Sequence, residues 1–308
     1  MKPQQRTVDR IIEPQPVIEG AGVRLRRSIG TATLDYLDPF LLLDHFASTD
    51  PADYEAGFPL HPHRGIETVT YVLTGEVDHR DTLGNSGSIG AGDVQWMTAG
   101  GGIMHEEMPQ VRPEGIDGFQ LWVNLPAKLK MTRPKYQGIR SAEIPQVRIE
   151  GGATVRVITG MADGAKGPVS GIAADPTYLD VAVPAHASFK HQIGEGHSAF
   201  AYVFEGEAAF DADHPRVSHT RLVVFSDGDY VEVVTYNSPV RFLLVSGQPL
   251  NEPIARYGPF VMNTREEIMQ AMADYQAGRL GTIPAITAVH NTPTTIIETG
   301  QPEDGEPA

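Results

Sequence analysis

Apolar residues along this chain come in bursts of about five to seven, often alternating with polar positions and closed by Gly, Pro, Asn or Asp. ETVTYVL (67–73), DVQWM (93–97), FQLWVNL (119–125), TVRVITG (154–160), YLDVAV (178–183), FAYVFEG (200–206), RLVVFS (221–226), YVEVVTY (230–236) and RFLLVSG (241–247) are strand-length and rich in β-branched and aromatic residues. Their close spacing predicts antiparallel strands in a sandwich or barrel. One segment breaks the pattern. NTREEIMQAMADYQAGRLG (263–281) offers Asn263 or Thr264 as N-cap, acidic residues in the first turn, and Ile268, Met269, Met272 and Tyr275 at helical spacing, stopping near Gly278. The expected fold is all-β with one short C-terminal helix.

Two of the strand-like segments carry candidate chemistry. Side chains two apart on an extended strand share a face, so His61 and His63 make one pair of donors, and His105 and Glu107 another. Brought to one pocket, they offer three imidazoles and a carboxylate to a divalent first-row metal. Glu67 has the parity of His61 and His63, so spacing alone leaves it open as the carboxylate. Gly100–Gly102 has no P-loop lysine after it and reads as a low-bulk turn beside the pocket. His79 and Asp81 are placed on a solvent-facing strand end, Trp96 and Met97 in the core, and Asp44 and His45 in structural roles. His186, His191, His197, His214 and His219 repeat no spacing against a carboxylate and receive no ligand role.

The chain also echoes itself. TYVLTGEV (70–77) resembles AYVFEGEA (201–208), and GDVQWM (92–97) resembles GDYVEV (228–233). Matching Gly75 to Gly206 sets Gln192 and Gly194 opposite His61 and His63; matching Gly92 to Gly228 sets Arg241 and Leu243 opposite His105 and Glu107. The expectation is a metal-binding unit over 1–145, a second unit without ligands over 146–290, and a fraying, acidic tail over 291–308.

Composition narrows the chemistry. With 308 residues, 41% hydrophobic and 20% charged, the chain has the make-up of a globular protein of two domains. The absence of cysteine excludes disulfides, thiolate metal sites and cysteine nucleophiles. A formal charge of −15 opposes direct nucleic-acid binding and attachment to anionic membranes. No apolar run reaches membrane-spanning length and the first residues lack a signal peptide's apolar core, so a cytoplasmic location is expected.

His61-Pro-His63-Arg-Gly-Ile-Glu67, and Gly92 leading through Gly100–Gly102 to His105, resemble the two cupin motifs. The stretch HPHRGIETVTYVLTGEVDHRDTLGNSGSIGAGDVQWMTAGGGIMHEEMP, with FQLWVNLPAK and GPFVMNTREEI further on, more closely resembles the pirin family within the cupins. That resemblance implies a bicupin of two antiparallel β-barrels with one metal in the first. It also implies Glu107 as the fourth ligand beside His61, His63 and His105. Glu67 then becomes an inward group holding an imidazole or Arg64.

The activity implied is a metal-dependent dioxygenase of the quercetin 2,3-dioxygenase type, taking O2 and a flavonol-like aromatic enol. Fe(II) is the expected metal, with Cu, Ni, Co, Mn and Zn able to use the same donors. Glu107 is the expected catalytic base for the enol proton. The alternative the family implies is a non-enzymatic, redox-responsive regulator that binds a protein partner. Two barrels in one chain supply the packing that single-barrel relatives obtain by pairing, which predicts a monomer.

Overall fold

A computed structural model describes residues 3–280, and within them the chain is mainly β with one α-helix, Arg265–Gln276. The first half builds a seven-stranded antiparallel sheet in the order Lys135–Ile139, Val94–Thr98, Ile66–Thr74, Ile116–Asn124, Phe40–Ser48, Val23–Ile29, Gln15–Glu19. A four-stranded sheet faces it, in the order Phe58–His63, Ile103–Pro109, Val77–Asp81, Ser86–Ile89. The second half repeats the plan. Its larger sheet runs Val8–Ile12, Arg221–Phe225, Ser198–Ala208, Val240–Gly247, Thr177–Val183, Thr154–Thr159, Gln146–Arg148, and the pair Ser188–Gln192 and Tyr230–Val234 faces it. The two units are thus open cups, not the closed barrels expected, since among the described residues no ladder joins the small sheet of either half to its large one.

The outer faces of the two large sheets pack against each other. Val69, Tyr71, Trp96, Phe119, Leu121 and Val123 from the first half meet Tyr178, Phe200, Tyr202, Leu222, Leu243 and Val245 from the second in one buried cluster. Strand alternation sends the intervening residues into the cups. Phe242 and Leu244 therefore fill the second interior, while Gln120 and Trp122 enter the first. Trp96 and Met97 are buried, as expected of core residues.

The first internal echo is a true equivalence. Gly75, just past Ile66–Thr74, and Gly206, near the end of Ser198–Ala208, have φ +83° and +70°, and a Cβ would lie 2.4 Å from the Gly115 carbonyl and 1.9 Å from that of Pro239. The second echo is one strand out of step. By position in the sheets, Val94–Thr98 corresponds to Arg221–Phe225, and Ile103–Pro109, which carries His105 and Glu107, corresponds to Tyr230–Val234. A Gly-Asp turn precedes Val94–Thr98 in the first half but Tyr230–Val234, the next strand in the plan, in the second, which shifted the match. Arg241 and Leu243 are not counterparts of His105 and Glu107; Val231 and Val233 occupy that strand.

The chain ends cross the division expected at residue 145. Val8–Ile12 pairs with Arg221–Phe225 in the second sheet, and Arg6 donates to the carbonyls of Gly228 and His197 at 3.0 and 2.8 Å. Conversely, the hairpin Ala255–Tyr257 and Phe260–Met262 packs on the first half through a bridge from Phe260 to Arg64. The helix follows it, capped by Thr264 and Glu267. Only Ile268 and Ala271 of the helix are buried; Met269 and Tyr275, among the apolar residues at helical spacing, are exposed. No helix of the described residues is long and apolar enough to cross a membrane. The expected tail over 291–308 lies outside the described residues.

Candidate metal centre

The strands Phe58–His63 and Ile103–Pro109 pair with His61 opposite His105 and Ile103 opposite His63. This register gathers the imidazoles of His61, His63 and His105, with a nitrogen from each lying within 4.8 Å of the others. His61 Nδ1 donates to the Pro59 carbonyl at 3.0 Å, which fixes the tautomer and leaves Nε2 with a lone pair, 3.0 Å from His63 Nε2. His63 and His105 are buried, and both nitrogens of His105 and Nδ1 of His63 make no hydrogen bond. Burial, reinforced by the neighbouring histidines, holds His63 well below its ordinary range. Burial likewise pushes His105 down to about 4. Two buried imidazoles disfavoured for protonation, clustered with His61 and carrying unpartnered nitrogens, fit a bound transition metal, which needs unprotonated ligands.

A bulge between His105 and Glu107 re-aims the strand. Glu107 is buried on the same strand, and both of its oxygens are held: Thr70 Oγ1 donates to Oε1 at 2.8 Å and Gln120 Nε2 to Oε2 at 2.9 Å. Burial would raise its pKa, but His105 and His61, with the Thr70 and Gln120 donors, bring it below the ordinary value. Trp122 Nε1 donates to Gln120 Oε1 at 3.2 Å. An indole N–H can only donate, so it fixes which end of the Gln120 amide faces Glu107. Trp122 also stands edge-on to His63, with ring centroids 5.1 Å apart. Thr70, Gln120 and Trp122 were missed from sequence because they sit on strands far from the ligand motif; alternation along FQLWVNL was the available signal.

Glu67 is turned away from the imidazoles. The chain turns at Arg64–Gly65, where Gly65 has φ +80° and a Cβ would approach the Val261 carbonyl to 1.9 Å. Parity restarts after this turn, so Glu67 shares a face with Val69 and Tyr71 and accepts from Thr98 Oγ1 at 2.7 Å. It holds neither a ligand imidazole nor Arg64. Arg64 instead donates to the Gly101 carbonyl at 2.7 Å and to Asp274 of the helix at 2.8 Å. Beside it the buried Lys130 ammonium bonds Gly65 O, Asn124 Oδ1 and Val261 O at 2.8–2.9 Å, and burial pushes it down to about 8. Together they clamp the turn that ends the first ligand strand.

His79 and Asp81 are half-buried rather than fully solvent-facing, with Asp81 at the strand end as expected. They stand opposite Glu107 and His105 in the ladder, and His79 stacks on Tyr136 with centroids 5.8 Å apart. Asp44 lines the cavity beside His61 and His63, whereas His45, on the other face, bonds Tyr202 and Asp117 at 3.0 Å each between the sheets. The cavity measures about 580 Å³ and includes Phe58, Gln120 and Trp122 in its wall.

The family model "Pirin" matches residues 22–123, and "Pirin C-terminal cupin domain" matches residues 178–281. The chain belongs to the pirin family. A pirin-like protein of Caulobacter vibrioides is 46% identical over 275 residues, 89% of this chain and 99% of that protein. Human pirin is 44% identical over 269 residues, covering 85% and 90% of the two chains. Among solved structures, a quercetin 2,3-dioxygenase from Acinetobacter baumannii superposes with a TM-score of 0.82 at 36% identity, over 91% of this chain and all of that one. The pirin assignment covers both cups, and the histidine cluster lies within the first.

Proposed function

We propose that this pirin is a metal-dependent dioxygenase that opens a flavonol-type aromatic enol with O2, with His61, His63, His105 and Glu107 as the metal ligands and Fe(II) as the metal. The observation that carries this reading is the convergence of three imidazoles beside a cavity of about 580 Å³ with an aromatic wall. The relationship to a quercetin 2,3-dioxygenase supports the substrate class. A bound divalent metal acidifies a coordinated hydroxyl and leaves positions for oxygen donors beyond four protein ligands. The protein's part is positional. Trp122 and Phe58 present apolar surface to a flat ring system. Thr70 and Gln120 hold the Glu107 carboxylate as an acceptor, and Glu107 would take the enol proton at one of its oxygens. The cup limits water access to the activated ring.

The test is anaerobic loading of metal-free protein with Fe(II), addition of quercetin, and admission of oxygen while flavonol absorbance and dissolved oxygen are followed together. Coupled loss of both, abolished in a His61→Ala, His105→Ala protein, is expected. Metal binding without oxygen uptake across Fe, Ni, Co, Mn and Cu would instead favour the regulatory role.

A further inference from the structure

Two guanidinium groups line the cavity beside His61 and His63, and only one is committed. Arg27 gives Nε and Nη2 to Asp44 at 2.8 and 2.7 Å and Nη1 to Glu19 at 2.7 Å, so two carboxylates meet its charge. Among the described residues Arg256 forms no ion pair. Its Nη1 donates to the Leu41 carbonyl at 3.2 Å, and its guanidinium carbon lies 5.2 Å over the Trp122 ring. These contacts fix the group against the cavity wall and leave most of its five N–H donors unspent. Of the acids that face it, Asp35 acts on it most strongly but forms no ion pair with it, and Asp44 and Glu19 are already engaged by Arg27. Partial burial, then Arg27, hold Arg256 below the ordinary guanidinium range, as befits a cation without its counter-ion.

We propose that Arg256 is the anion-recognition group of this cavity, and that the ligand is a planar aromatic enol bearing a carboxylate at the end away from the enol. Trp122 joins the two ends, contacting His63 on one side and Arg256 on the other. A carboxylate matches the planar fork of a guanidinium, and a position at the exposed mouth spares the ligand full desolvation. The enol end of this inference rests on the dioxygenase reading; the anion end does not.

The experiment is therefore a binding measurement. Metal-loaded protein is titrated without oxygen with 3-hydroxyflavone and with its 4′-carboxylate, following tryptophan emission, since of the chain's two tryptophans only Trp122 lines the cavity. Wild-type protein is expected to bind the carboxylate about tenfold more tightly. Arg256→Gln abolishes that preference while moving the neutral flavonol by less than about twofold, and Arg256→Lys retains part of it. Equal affinity of wild type for the two probes, binding of neither, or equal weakening of both in Arg256→Gln overturns the proposal. If the preference is found and admitted oxygen consumes neither probe, the dioxygenase reading fails and the anion site stands.

Discussion

In the second cup, Phe189, Phe210, Val231, Val233 and Phe242 meet in one continuous apolar interior. The first cup has two smaller apolar groups, one around Val23, Phe46 and Val72 and another around Leu42, Ile66 and Ile103. Between them lie Thr70, His63, His105, Glu107 and Gln120. Corresponding strands supply these different contents: His61 faces His105 in one ladder, whereas Phe189 faces Val233 and His191 faces Val231 in the other. A buried polar band forgoes the roughly 25 cal/mol per Å² that apolar burial contributes. The second cup, fused through the shared inter-sheet core, offsets that loss. One copy of the fold is specialised for a site, the other for cohesion.

This comparison can be broken first at the cohesive end. Phe242→Ala opens the second interior and should lower unfolding free energy by about 3–5 kcal/mol, measured by urea denaturation of the metal-free protein. A cost under about 1 kcal/mol would deny the second cup its stabilising role. Metal should stabilise through the first cup alone: at a thousandfold excess over its dissociation constant the gain is about 4 kcal/mol. His105→Ala should remove most of that gain while leaving metal-free stability near or above wild type, as calorimetry with and without metal would register.

A smaller effect tests how Glu107 is held. Trp122→Phe frees the Gln120 amide to reverse, and metal affinity should weaken by about tenfold, the lower end for groups that orient ligands. Chelator competition measures this, and the Co(II) absorption spectrum should change with it. The smallest effect concerns His191, which burial pushes from an ordinary 6.5 down to about 4. The unfolded chain takes up a proton there at higher pH than the folded one, so the stability is present above 6.5 and lost as pH falls toward 4. His191→Gln should flatten that slope by about 1 kcal/mol per pH unit, read from denaturation midpoints across the same interval.

The histidine cluster was legible from sequence because alternation holds along Phe58–His63 and His105 pairs opposite it; Glu107 lies on the strand of His105, but the bulge between the two lies outside what alternation predicts. Glu67 misled because parity was carried across Gly65, whose positive φ resets it. The second echo misled because Gly-Asp precedes more than one strand. The strand pattern predicted the sheets but not how the cups would close, since closure depends on which edges find partners. Thr70, Gln120 and Trp122 became visible only once three separated strands were set side by side. Arg256 is further still in sequence, brought to the cavity by a C-terminal hairpin that returns to the first half.

That return, and the reciprocal departure of residues 4–12, have a consequence for how the molecule can be divided. Severed after residue 145, the leading fragment would carry an orphan ribbon evolved for another sheet, and would lack the Asp274 and Val261 partners of Arg64 and Lys130. The trailing fragment would expose the margin of Arg221–Phe225, an invitation to adhesion between molecules. Neither piece is a free-standing module. Mixed together, they should complement one another as a split protein does, because each carries the other's missing border.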